Sequence, residues 1–337
     1  MKKIFVFILL FCLVTFTRGK KVAILQEVSR PDAIAAGNNR LYISEGASVY
    51  IYTLGDYHLE KKFGKKGEGP REFNVSPVSA PLVVYPYNNK IYISSVAKLS
   101  VFTKDGEYIK ETKVMPNILC IPIGNGYVGT GTTVDEKNRQ VSSVNFYNEK
   151  FEKVRELYAT DVQIGPSFTI SFPFHSSNFI SYKDRIYLAA GKEGFAIDVF
   201  DANGTKLYRI KKDYQPLKLT AAYKKSTENW FKTHPVYKQV WDALKSRVSY
   251  KDYFPAIRDI LVSGDRIYVL TYKTQDHDIE CIVMDLQGNE QKRVFLPCPR
   301  NLGLDLHPKY TTHHRDFYTL LENEEKEAWE LHKTEIK

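Results

Sequence analysis

One short strand phrase recurs along the chain, and this recurrence restricts the fold more than any other property of the sequence. Turn residues and a basic or polar residue lead into an apolar-Tyr-apolar run: NNRLYIS (38–44), NNKIYIS (88–94), KDRIYLA (183–189) and GDRIYVL (264–270). Looser copies are GNGYVGT (124–130) and HRDFYTL (314–320), which makes six. Four of the five gaps separating Tyr42, Tyr92, Tyr127, Tyr187, Tyr268 and Tyr318 lie between 35 and 60 residues; the gap from Tyr187 to Tyr268 is 81. A short apolar strand (AIAA, LVVY, NFIS, DILV) precedes the phrase, and two further strands follow it. The turns between those last two strands include KDGE, ANGT and LQGN, whose Asp-Gly, Asn-Gly and Gly-Asn pairs suit two-residue hairpins that need positive φ. Each unit therefore reads as four strands.

Four-stranded units repeating every ~40 to 50 residues indicate a propeller. The sequence predicts an all-β, six-bladed β-propeller of four-stranded blades over residues 20–337. A pair of β-sandwiches would not need the same strand phrase at regular intervals. The aromatic share of 13%, with 23 Tyr and 19 Phe, agrees with β structure. A ring of blades must close or expose an edge. The sixth unit has no outer strand before the chain ends, whereas VAILQEV (22–28) has no other place, so residues 22–28 are expected to complete blade 6. The long fourth gap has helical spacing of Trp230, Phe231, Tyr237, Val240, Trp241 and Leu244. This predicts a small helical insertion between blades 4 and 5, at about 215–255, with Ser226 as an N-cap and Pro235 dividing two short helices. Core packing is the first expectation for that aromatic stripe.

FGKKGEGPREFNVSP (63–77) resembles the linker between NHL repeats, and RPDAIAAGNNRLYISEGASVYIYTL (30–54) is similar to the repeat body. YKDYFPAIRDILVSGDRIYVLTY (250–272) and LLENEEKEAWELHKTEI (320–336) look like the exported bacterial six-bladed β-propeller family, NHL-repeat-like or TolB-like. The resemblance implies export and the binding of a ligand or partner. It brings no catalytic residue set.

Residues 1–19 read as a secretory signal: Lys2 and Lys3 before an apolar run, then Thr17 and Gly19 before a cut at Lys20. The run is too short to span a bilayer comfortably. The expected location is periplasmic or extracellular, with no membrane span after cleavage. Cleavage lowers the formal net charge from +9 to +6. The basic residues are interspersed with acids, which describes a solvated surface and not a nucleic-acid stripe. Cys12 leaves with the signal. Cys120, Cys281 and Cys298 remain, an odd number from which no disulfide framework can be built, and buried thiols are expected. ILCIPI (118–123) is the continuous apolar run of a strand buried on both faces.

In a four-stranded meander, connections one-to-two and three-to-four share one rim; connections two-to-three and blade-to-blade share the other. The long segments 65–77, 130–141, 211–255, 272–278 and 297–313 all fall on the second rim, where loops over a rigid scaffold tend to carry function. The expected function is a non-catalytic, monomeric propeller that binds a protein, peptide or glycan there. Its candidate contacts are Arg71, Glu72, Trp230, Tyr253, His277 and His314, with no cofactor. The 64–72 run GKKGEGPRE lacks the Lys-Ser/Thr ending of a phosphate loop. The alternative is a metal-dependent lactonase- or lyase-like hydrolase with Ca or Zn at the central channel, held by some of His175, His234, His277, His313 and His314. No HExxH, paired CxxC or G-x-S-x-G motif supports it. Asp276, His277 and Asp278 are adjacent on an extended chain, so they point apart and read as a polar hairpin loop.

Overall fold

A computed structural model describes residues 15–16, 19–75, 82–114, 119–163, 169–173, 178–234, 237–276, 278–298 and 309–337. It is a six-bladed β-propeller of four-stranded antiparallel blades. Blade 1 runs from inside to outside as Ala33–Gly37, Arg40–Glu45, Ser48–Thr53 and Leu59–Phe63. Blades 2 to 5 repeat this order, their inner strands being Val83–Tyr87, Cys120–Ile123, Phe179–Tyr182 and Asp259–Ser263. Blade 6 has Tyr310–His313, Asp316–Asn323 and Ala328–Glu335, and its outer strand is Lys20–Leu25. That strand starts two residues before the stretch read from the sequence and ends at Leu25, with Val28 buried just beyond. A two-residue pair, Thr15–Phe16, lies parallel on the edge of blade 5.

The strand phrase has a packing cause. Side chains alternate across a strand. On the second strand of blade 1, Leu41 and Ile43 enter the cluster shared with blade 6, while Tyr42 enters the cluster shared with blade 2. The same division places Tyr92, Tyr187, Tyr268 and Tyr318 toward the next blade. Tyr127 departs from it. It pairs with Pro122 one register step early and packs toward blade 2, and Val128 takes the tyrosine position. A one-residue slip reverses the face of a side chain, so the third copy matches the phrase in letters but not in register. Among the described residues, six hydrophobic clusters occupy the six blade interfaces, and a seventh lies in the insertion.

The turns differ from the expectation. Two-residue turns with both φ positive join first and second strands, at Asn38-Asn39, Asn88-Asn89 and Gly264-Asp265. KDGE, ANGT and LQGN instead form three-residue loops, closed by Thr103 N–H to Glu107 O, Asp201 N–H to Thr205 O and Asp285 N–H to Asn289 O. Gly106, Gly204 and Gly288 take the positive φ there, and a register shift follows in each adjoining strand pair. This is the type I turn plus bulge. Two expected long loops are extended hairpins: Gly126–Val134 with Gln140–Tyr147 in blade 3, and Arg266–Gln275 with Asp278–Asp285 in blade 5.

The insertion contains helix α1, Ala221–Thr233. Its N-cap is Thr220, whose Oγ1 accepts the Tyr223 N–H at 3.1 Å, and not Ser226, which lies a turn and a half inside. Thr220 has the extended backbone a cap requires, and the helix starts at Ala221-Ala222-Tyr223, ahead of the aromatic stripe that begins at Trp230. A short helix α2, Trp241–Leu244, follows; Pro235 lies outside the described residues. Val248–Tyr250 then pairs parallel with Ile170–Phe172 of the blade 3–4 connection. Phe172, Tyr223 and Phe231 form the seventh cluster, with Trp230 and Trp241 packed on it. No helix among the described residues is long and apolar enough to cross a membrane.

Candidate functional site

Every first strand runs from the looped rim to the plain rim. On the plain rim, the turns bond to one another across blades. Asn38 Nδ2 donates to Lys90 O at 3.2 Å, and the His314 N–H donates to Ser263 Oγ at 2.7 Å. Asp265 takes the Lys183 ammonium at 2.6 Å and the Tyr182 hydroxyl at 3.2 Å. The buried tyrosines add to this: Tyr42 Oη donates to Lys104 O at 3.1 Å and Tyr268 Oη to His314 O at 2.8 Å.

On the looped rim, an open depression of about 450 Å³ lies between blades 3 and 4 and the insertion. Tyr158 of blade 3, the turn at Lys192, Tyr214 at the exit of blade 4, and Tyr253 and Phe254 at the return of the insertion line it. Tyr158 and Lys192 bond together: the Lys192 N–H donates to Tyr158 Oη at 3.0 Å, and Lys192 Nζ donates to Ala159 O at 2.9 Å. Lys273 Nζ sits 5.0 Å from the centre of the Tyr214 ring. Glu193 and Lys212, also in the lining, are tied to Arg209 and Glu290. Tyr253 is 52% exposed, a large aromatic face held open to solvent at the edge of this depression. Aromatic faces beside lysine donors suit a ligand with apolar and polar sides.

Tyr85 of blade 2 reaches blade 4, where its hydroxyl bonds the Ser181 backbone and accepts from Ser181 Oγ at 3.1 Å. At the looped end of the inner strands, Asp259 Oδ2 accepts the Tyr310 hydroxyl at 2.9 Å. Burial pushes the Asp259 carboxyl up to about 6. Beside it stand Arg258 and Tyr272, with the guanidinium carbon 5.9 Å from the ring centre. Sequence reasoning missed these residues, because one Arg-Asp pair before a strand carries no spacing signal.

The named candidates separate. Tyr253 lies in the depression. Trp230 packs inside the insertion, 5.2 Å from Phe231, 5.3 Å from Tyr237 and 4.5 Å from His234. Arg71 sits at the periphery instead of the channel. It takes a positive φ, lies 5.7 Å over the Tyr108 ring on the outer strand of blade 2, and lines a smaller depression of about 290 Å³. Glu72 closes its own turn, accepting the Gly69 N–H at 3.0 Å and pairing with Lys65 at 2.9 Å; these contacts hold its carboxyl below the usual range. The reason is Phe73, which is drawn fully into the blade 1–2 core and pins this linker outside the channel. His314 is a correction of rim. It belongs to a first-to-second-strand turn, so it lies on the plain rim, away from the looped face. His277 and His175 fall outside the described residues. Among the described residues, no three His, Cys, Asp or Glu side chains are grouped to hold a metal ion. Cys120 and Cys281 are buried free thiols, and Cys298 is buried in the same cluster as Cys281. Burial pushes the Cys120 thiol up to about 12.

No protein-family model matches the chain, and no curated protein matches its sequence. Solved structures do resemble it. The WD40 domain of Pan2 from Neurospora crassa is 10% identical, with a TM-score of 0.46 over 95% of this chain and 97% of that one. The β-propeller domain of Cps50 (Swd1) from Myceliophteria thermophila is 7% identical, with a TM-score of 0.43 over 94% and 99%. BamB from Moraxella catarrhalis is 9% identical, with a TM-score of 0.31 over 89% and 71%. At these identities the likeness concerns the fold alone.

Proposed function

We propose that the chain is an exported, NHL-repeat-like propeller that binds a protein, peptide or glycan on its looped rim without catalysis or a metal cofactor, as a monomer. The observation that carries this reading is the aromatic and cationic depression between blades 3 and 4 and the insertion, with Tyr253 half-exposed at its edge. The opposite rim uses its polar groups to join blades, which leaves fewer donors for a ligand. Export is supported by the signal-like residues 1–19, since a cut before Lys20 leaves the outer strand Lys20–Leu25 whole. Peptide sequencing of the exported chain should find Lys20 at its N-terminus.

The binding test uses glycan and peptide arrays probed with wild-type protein and with Tyr253→Ala. The variant should lose most array binding and keep its melting temperature, because a half-exposed side chain changes stability by only about 0.5 kcal/mol. Binding that survives Tyr253→Ala, or that needs a metal removed by chelator, would overturn this reading. Turnover of lactones by metal-loaded protein would put the hydrolase in its place.

A further inference from the structure

Among the described residues, the half-buried arginines have acceptors, with one exception. Arg40, Arg139, Arg209 and Arg293 face carboxylates. Arg185 donates to Tyr208 Oη at 3.1 Å, and Arg266 reaches Ile336 O at 3.5 Å. Arg258 is the exception: among the described residues its guanidinium makes no hydrogen bond and no ion pair. Its place is well defined. Asn178 Nδ2 donates to Arg258 O at 2.6 Å, and the Arg258 N–H donates to Leu270 O at 2.8 Å. The backbone is therefore fixed at the looped end of the blade 5 inner strand, against blade 4.

Among the described residues no carboxylate pairs with Arg258, and the charge of Asp259 reaches it only from beyond ion-pair distance. Successive residues of an extended chain point apart, and the Asp259 carboxylate is taken by the Tyr310 hydroxyl and by the Ile260 N–H at 2.8 Å. Asp32, the acidic residue at the equivalent end of blade 1, accepts the Gly46 N–H at 2.7 Å. Around Arg258 the walls are aromatic. Tyr272 stacks on Phe254 at 4.7 Å, and Phe254 meets Tyr223 of α1 edge-on at 4.9 Å. A guanidinium cannot shed its proton in a protein. Withdrawing it from water without a partner is costly, and its planar fork matches an oxyanion bidentately.

We infer that the looped mouth of the channel holds an oxyanion subsite centred on Arg258, which takes a carboxylate or phosphate group of the ligand. This adds a chemical class to the reading above and rests on it only for the choice of rim. The test titrates sodium acetate and sodium phosphate separately into the full chain near neutral pH, with sodium chloride of matched ionic strength as the blank. The melting temperature is followed for wild type, Arg258→Gln, Arg258→Lys and Tyr253→Ala. One anion should raise the wild-type melting temperature saturably above the blank. A response to acetate identifies a carboxylate ligand, and a response to phosphate identifies a phosphorylated one. Arg258→Gln should abolish the response, Arg258→Lys should weaken it about tenfold, and Tyr253→Ala should leave it unchanged. Wild-type curves that track chloride for both anions, or an Arg258→Gln response equal to wild type, would overturn the subsite. If Arg258→Gln does not fold, an undiminished affinity in Arg258→Lys overturns it alone. A retained anion response in a protein that binds nothing on the arrays would refute the depression as the working site and leave the subsite standing.

Discussion

On the plain rim, one polar group after another is used between blades: Asn38 with Lys90, Lys183 with Asp265, His314 with Ser263, Tyr268 with His314. On the looped rim, an aromatic face at Tyr253 is open to solvent and the Arg258 guanidinium has no acceptor among the described residues. The same six-fold meander builds both rims. Polar bonds join blades on the looped rim as well, at Asp259–Tyr310 and Lys192–Tyr158, but its longer connections carry more side chains than those bonds use. The plain-rim turns thus join blades, and the looped rim keeps Tyr253 and the Arg258 guanidinium outside such bonds.

The largest effect should come from opening the ring. A chain starting at Pro31 lacks Leu25 and Val28, which are 1% and 2% exposed, and leaves Ala328–Glu335 as a bare edge. Two buried aliphatic side chains at about 2 to 3 kcal/mol each predict a loss of about 5 kcal/mol or more, with aggregation. Chemical denaturation measures it, and an unchanged midpoint would remove the ring from the stability argument. Phe231→Ala should cost the insertion about 3 to 5 kcal/mol, because Phe231 is 2% exposed at the centre of its cluster. That loss should be local: faster proteolysis within 211–255 with the propeller transition in place. A propeller transition that falls with it would show that the two regions are one cooperative unit.

Asp259 sharpens the comparison through pH. Burial pushes its carboxyl from 3.8 up to about 6, so the folded chain holds a proton that the unfolded chain has lost. Its contribution is full below the unfolded value and is lost as pH rises through the folded one. Asp259→Asn should flatten that decline, on the order of 3 kcal/mol, as read from urea denaturation across this window. A decline of equal slope in the variant would assign it to other groups. Smallest is Tyr268→Phe, which deletes one part-buried hydrogen bond of the plain rim and should cost about 1 kcal/mol. A neutral result in thermal denaturation would mean that packing alone holds that tyrosine.

Much of the ring was legible because a propeller repeats its packing problem. Leu41 and Ile43 must face one blade and Tyr42 the next, and each interface writes a similar phrase. Tyr127 shows the limit: its letters fit, but the register is decided by the pairing of Pro122, which no local pattern reveals. The turns show a related limit. Asp-Gly and Asn-Gly serve both two-residue and bulged three-residue hairpins, and only the partner strand's register distinguishes them.

For the candidate site the sequence determined the rim and some of the residue types, since strand count and loop length alone set which connections share an end. It placed an aromatic insertion there and named Tyr253. The tertiary structure decided the rest. Phe73, buried between blades, carried Arg71 and Glu72 to the periphery, and a two-residue turn put His314 on the opposite rim. It also brought Arg258 beside Tyr272, and Asp259 beside Tyr310, two residues 51 positions apart in the chain. Periodic burial leaves a mark in a sequence because it recurs in every blade. A charge without a partner occurs once, and its isolation is a property of what surrounds it in space.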